Sequence, residues 1–245
     1  MCNILSLLPK NTPKTVKIKL LFLIKQRFNP EKFYSFFPYK YGPYSYELER
    51  DLKEIDGADF ERVKLPYEDF IIDTVKEYPT AGRMVQYVYR NYPEYVPREI
   101  PAGRGIATIG YEGESIDSFL DKLVQNNVNV VVDVRANPFS MKFDFIGSRL
   151  KGYLERSGVG YLGMAGLGIR GGKRKDIHKR GVRERLLREY YDSLERQESS
   201  LGELIKLSEG HKIALMCFEK DPGKCHRGEI SRYISKHYGL TVENL

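Results

Sequence analysis

Residues 213–233 read IALMCFEKDPGKCHRGEISRY, and the order of residue types along them decides the fold class. Ile213–Met216 is a short apolar run ending on Cys217; Asp221-Pro222-Gly223 turns the chain; Cys225, His226 and Arg227 then open a helix. A loop that leaves the carboxyl end of a strand and enters a helix is where open α/β sheets hold their ligands. The first turn of that helix has unpaired N–H groups, which attract anions and lower the pKa of a thiol placed on them. Cys225 is therefore the expected nucleophile, Arg227 a rigid fork for phosphate or carboxylate, and His226 a proton carrier. Cys217, at a strand end, is expected to be buried and slower to react.

The same alternation extends upstream. Ile106–Gly110 reads as a strand, and Ser115 can cap a helix that carries Ile116, Phe119, Leu120 and Leu123 at helical spacing. Val128–Val134 is an almost continuous apolar run, as a strand buried on both faces requires. Ile146, Leu150 and Leu154 mark the next helix and Val159–Leu162 a third strand. Helices follow at 182–196 and 200–208, then a fourth strand at 213–216 and a last helix at 229–237. The fold expected for residues 104–245 is α/β, a mainly parallel open sheet of about four strands flanked by helices.

Parallel strands deliver their following loops to one edge, and each such loop here holds unusual residues. Asp133 and Arg135, two apart at a strand end, share a face, so Asp133 can orient Arg135 or act as a base; a structural ion pair is the alternative. Ser140, in the turn after Asn137-Pro138, offers a phosphate donor. Residues 163–172, GMAGLGIRGG, contain five glycines, a density that lets backbone N–H groups approach a phosphate, or serves a flexible lid. No metal or cofactor is expected, because the C-x7-C-H spacing of Cys217, Cys225 and His226 matches none of the common short zinc patterns. Zinc on those three, with His178 as a distant fourth ligand, is the alternative.

The formal charge of +7 is concentrated in one place. Between Arg170 and Arg188 nine basic residues, among them Lys173, Arg174, Lys175, Lys179 and Arg180, face two acidic ones, so this segment accounts for the whole excess. Such a segment suits a nucleic-acid contact; a solvated helical face is the plain alternative. Three cysteines suit reduced thiols, and no early run reads as a signal peptide or crosses a bilayer, so a cytoplasmic protein without membrane contact is expected.

Residues 1–100 read as a smaller, mostly helical module: helices at 17–25, 30–37, 45–55, 67–77 and 80–92, with a hairpin-like stretch at 58–65. Pro97–Gly105 reads as the linker. That order is compatible with a winged helix-turn-helix, and YKYGPYS with the later YVYRNYPEY is similar to N-terminal modules of the Panacea and SocA-like class, which implies a protein partner. Packing for a helical bundle is the other use for these tyrosines.

Four motifs in the second half carry a further resemblance. TIGYEG (108–113), VVDVRANPFS (131–140), LGMAGLGIRGG (162–172) and ALMCFEKDPGKCHRGEI (214–230) resemble the family called domain of unknown function 488, departing from its pattern in LGIRGGKRKD. The resemblance implies a compact α/β domain and adds Tyr111 and Glu219 to the candidate ligand-binding residues. The expected function is an enzyme acting on a phosphate-bearing substrate, a nucleotide or nucleic acid. Arg135 and Arg227 would be anion clamps, Cys225 the nucleophile, and Asp133 or His226 the proton-transfer group. The alternative is a non-catalytic nucleic-acid or partner-binding protein with an anion-sensing α/β domain.

Overall fold

Val and Ile runs bounded by turn residues favour strands, and amphipathic stretches between them favour helices that cover the sheet. The structure, a computed structural model, describes residues 12–54, 67–170 and 181–245. It divides into two units: Met1–Arg98 with Ile116–Asp121, and Glu99–Ser115 with Lys122–Leu245.

In the first unit α1 (Lys14–Phe28) is buried from Ile18 through Ile24, a run apolar on every side except at Lys19. Phe22 meets Phe36, Tyr92 and Tyr95 edge-on at centroid distances of 5.5, 5.1 and 4.7 Å, so the tyrosines here pack. Residues 30–37 were expected to be helical. Instead Asn29 turns left-handed at φ 41°, and Phe37–Tyr39 (β1) pairs antiparallel with Gly42–Tyr44 (β2). Ser45 caps α2 (Tyr46–Glu54), its Oγ accepting from Leu48 N at 3.1 Å. Helices α3 (Glu68–Glu77) and α4 (Ala81–Asn91) follow. The hairpin expected at 58–65 lies outside the described residues, and a winged helix is not established.

The second unit is the expected parallel sheet with one strand more. Its order is β5 (Gly160–Gly163), β4 (Val130–Asp133), β6 (Lys212–Cys217), β3 (Gly105–Gly110), β7 (Val242–Asn244), and all pairings are parallel. The helices between the strands are α5 (Ile116–Gln125), whose residues 116–121 count with the first unit, α6 (Gly147–Arg156), α7 (Val182–Ser193), α8 (Glu198–Gly210) and α9 (His226–Tyr238). The core between sheet and helices gathers Val132, Leu167, Tyr190, Leu201, Leu215 and Ile230, among others. Because β6 inserts between β4 and β3, the loops after these three strands emerge side by side. Among the described residues no helix is long and apolar enough to cross a membrane.

Candidate functional site

Three strand ends supply the site. β3 delivers Tyr111, β4 delivers Asp133 and Arg135, and β6 ends on Cys217. Two close approaches hold these loops together. A Cβ on Gly110 would fall 2.0 Å from the Glu219 carbonyl oxygen, and one on Gly168 would fall 2.0 Å from Ala136 N. At Gly168, at least, glycine serves packing of backbone on backbone; Gly171 and Gly172 lie outside the described residues.

Asp133 and Arg135 form a buried fork-to-fork pair, as their spacing suggested. Arg135 Nε donates to Oδ1 at 2.8 Å and its NH2 to Oδ2 at 2.6 Å. NH1 donates to the Tyr111 hydroxyl at 2.9 Å and the Phe145 carbonyl at 3.0 Å, and the Tyr161 hydroxyl donates to Oδ2 at 2.8 Å. The Tyr111 ring lies flat on Phe145 at 4.4 Å. The guanidinium expected to clamp an anion is thus largely occupied in tying three loops to each other.

Arg227 has a similar occupation. It is 1% exposed, and its NH1 and NH2 donate to the carbonyl oxygens of Glu219 and Lys220, so it braces the loop after β6. Those partners are dipoles rather than a carboxylate, and the positive charge remains buried near the strand ends.

Cys217, Cys225 and His226 converge. Their ligand-type atoms all lie within 4.8 Å of one another, and all three residues are buried. His226 Nδ1 is 3.6 Å from Cys217 Sγ and 3.7 Å from Cys225 Sγ. The other ring nitrogen, Nε2, is 2.9 Å from the Val134 carbonyl oxygen, which can only accept, so Nε2 carries a proton. Cys225 precedes α9 as expected, but the expected reactive thiolate is not what its surroundings favour. Burial pushes the Cys225 thiol far above its ordinary pKa, Cys217 adds to the rise, and His226 offsets only part of it. Desolvation is the largest cause of the rise. Glu219 Oε2 lies 3.5 Å from Cys217 Sγ.

Above this group a cleft of about 370 Å³ opens, lined in part by Tyr111, Arg135, Ser140, Lys142, Ile169 and Cys217. Sequence reading missed its rim. Phe139 and Met141 are 63% and 94% exposed and Phe218 is 41% exposed, all three on the cleft. Lys142 Nζ donates to the carbonyl oxygens of Glu114 at 2.8 Å and Tyr111 at 3.4 Å, which holds its charge at the cleft wall. The available signal was NPFSMKFDF, in which Phe139, Met141, Phe143 and Phe145 alternate with Ser140, Lys142 and Asp144 at strand spacing just after a strand end, in a stretch that forms no strand. Ser140 Oγ accepts from Lys142 N at 3.1 Å and keeps its hydroxyl proton to give. Arg170 is exposed and follows the cleft residue Ile169; Lys173, Arg174, Lys175, His178, Lys179 and Arg180 lie outside the described residues.

Residues 115–234 match the model of the family described as Domain of unknown function DUF488. That span holds α5, β4, the NPFS turn and the Cys-His-Arg loop, so the family resemblance of the second half stands; nothing of the kind is shown for the N-terminal module. No curated protein and no solved structure matches the chain.

Proposed function

We propose that the α/β unit receives a phosphate-bearing ligand, a nucleotide or a segment of nucleic acid, in the cleft over β3, β6 and β4. The observation that carries this reading is the rim: exposed Phe139, Met141 and Phe218 beside Lys142, around a cavity of about 370 Å³. Flat apolar rings next to a fixed cation are what a nucleobase and its phosphate need, since stacking grips the base and charge grips the backbone. The buried Arg227 adds positive potential from behind, without touching the ligand. Arg170, exposed, directly follows the cleft residue Ile169 and adds a cation there.

In this reading Asp133, Arg135, Tyr111 and Arg227 position the loops, and Phe139, Phe218, Lys142 and Ser140 meet the ligand. Turnover is a second reading, favoured by one observation: Cys217 lies on the cleft and leads to His226, a base with a fixed tautomer. Cys225, with its raised pKa, is no longer the proposed nucleophile.

Polarisation of a labelled single-stranded oligonucleotide, with mononucleotides as competitors, tests the reading. Phe139→Ala and Phe218→Ala should each weaken binding about 5- to 100-fold, the scale of one lost base stack. Lys142→Met should weaken it and flatten its dependence on salt. Binding unchanged in all three variants, or no binding at low salt, overturns the proposal.

A further inference from the structure

We propose that Cys217, Cys225 and His226 form a binding site for a thiolate-preferring divalent metal ion, zinc being the best match. The sequence spacing argued against this, but spacing along a chain is a poor guide when a parallel sheet brings a strand end and a helix start together. Three features of the structure point to the site.

The first is distance. An ion with Zn–S bonds of about 2.3 Å and Zn–N bonds of about 2.0–2.1 Å in tetrahedral array holds each sulfur about 3.6 Å from the nitrogen. The observed separations are 3.6 and 3.7 Å. The second is orientation. His226 gives its Nε2 proton to the Val134 carbonyl, so the lone pair left on Nδ1 faces both sulfurs. A backbone carbonyl on the far nitrogen is how proteins fix the tautomer of a ligating imidazole. The third is setting. Both thiols belong to the apolar cluster that includes Leu167, Ile169 and Tyr190, while Cys217 also lines the cleft, which gives an ion a way in.

Two sulfurs and one imidazole are a soft, nitrogen-containing donor set, which selects zinc over magnesium or calcium. On binding, each thiol releases its proton to solvent and the sulfur lone pair forms the metal bond, so one ion displaces two protons. Three protein ligands leave a fourth position. This inference does not depend on the cleft ligand: the site exists or fails whether or not the cleft binds a nucleotide.

The test uses the full chain, reduced, stripped with a chelator and then titrated with Zn²⁺ or Co²⁺. After gel filtration about one equivalent of zinc should remain, and Co²⁺ should produce thiolate-to-metal charge-transfer absorption with the visible bands of a tetrahedral ion. Cys217→Ser, Cys225→Ser and His226→Ala should each lower affinity at least about tenfold. These buried changes can also disturb folding, so a second readout uses the unmodified chain. Zinc should slow alkylation of Cys217 and Cys225 in peptide mapping while leaving the Cys2 rate unchanged. No retained metal together with unchanged labelling overturns the proposal. So does a chain two hydrogens lighter, with Cys217 and Cys225 joined and no metal held, which would make the pair a redox couple.

Discussion

The interior of the helical unit and the strand-end region of the α/β unit are built on different principles. Around α1 the buried groups are overwhelmingly apolar, Leu20, Leu21, Phe22, Leu23 and Ile24 with a shell of tyrosines, and Lys19 is the exception along that helix. At the strand ends the buried groups include Asp133, Arg135, Ser140, His226 and Arg227, held by directional bonds. An apolar core tolerates a change of shape at modest cost, whereas a polar network fails when one partner loses its charge or donor. Such networks are retained where loops must be held in a fixed geometry around a ligand.

Conservative substitutions sharpen that contrast. Asp133→Ala should cost about 3–5 kcal/mol in urea unfolding, because it strands a buried guanidinium. Asp133→Asn, nearly the same shape, should still cost about 2 kcal/mol or more, while Phe22→Leu in the other unit should cost about 1–2 kcal/mol. Equal losses for the two conservative changes would erase the distinction.

Next in size is the pair Gly110→Ala and Gly166→Ala. The first puts a methyl 2.0 Å from the Glu219 carbonyl oxygen, and the second enters open space. A loss of about 3 kcal/mol is expected for Gly110 and under about 1 kcal/mol for Gly166. If Gly110→Ala folds as stably as the parent, the loop after β6 is not held as described.

Smaller and slower to measure is the effect of Lys19. It is 2% exposed, its Nζ donates to the Pro43 carbonyl oxygen at 2.7 Å, and burial pulls its pKa from 10.5 to about 7. Between those values the unfolded chain holds a proton that the folded chain lacks, so stability rises with pH across that window. Below about pH 7 both states are protonated and the full cost of burying the charge remains. Thermal midpoints of the parent, referred to Lys19→Met, should climb by a few degrees from neutral to alkaline pH. A constant difference would mean that the ammonium stays charged.

The α/β architecture was legible because apolar runs such as Val130–Asp133 and Lys212–Cys217 end at turn residues, and local pattern decides local structure. β7 was not. Val242–Asn244 is short and half polar, and it is a strand because β3 offers it a free edge and Thr108 Oγ1 donates to Asn244 Oδ1 at 2.7 Å. The helix at 30–37 failed for a similar reason: the pairing of Phe37 with Tyr44 competes for that stretch. At the site, the residue types and their loops were legible, but their environment was not. A thiol before a helix reads as activated until Tyr190 and the sheet close over it. The arginines read as clamps until their carbonyl and carboxylate partners are known. Of the rim, Phe139 and Met141 sit in an alternating run that reads as a strand and forms none, and Phe218 lies far away in sequence; only the fold shows that these residues surround one cleft.

The most direct test of the cleft as the ligand site is hydrogen–deuterium exchange of the full chain with and without a single-stranded oligonucleotide. Exchange should slow at residues 135–142 and 217–220 and stay unchanged at residues 14–54. Protection confined to the helical unit, or no protection with the oligonucleotide demonstrably bound, would contradict that assignment.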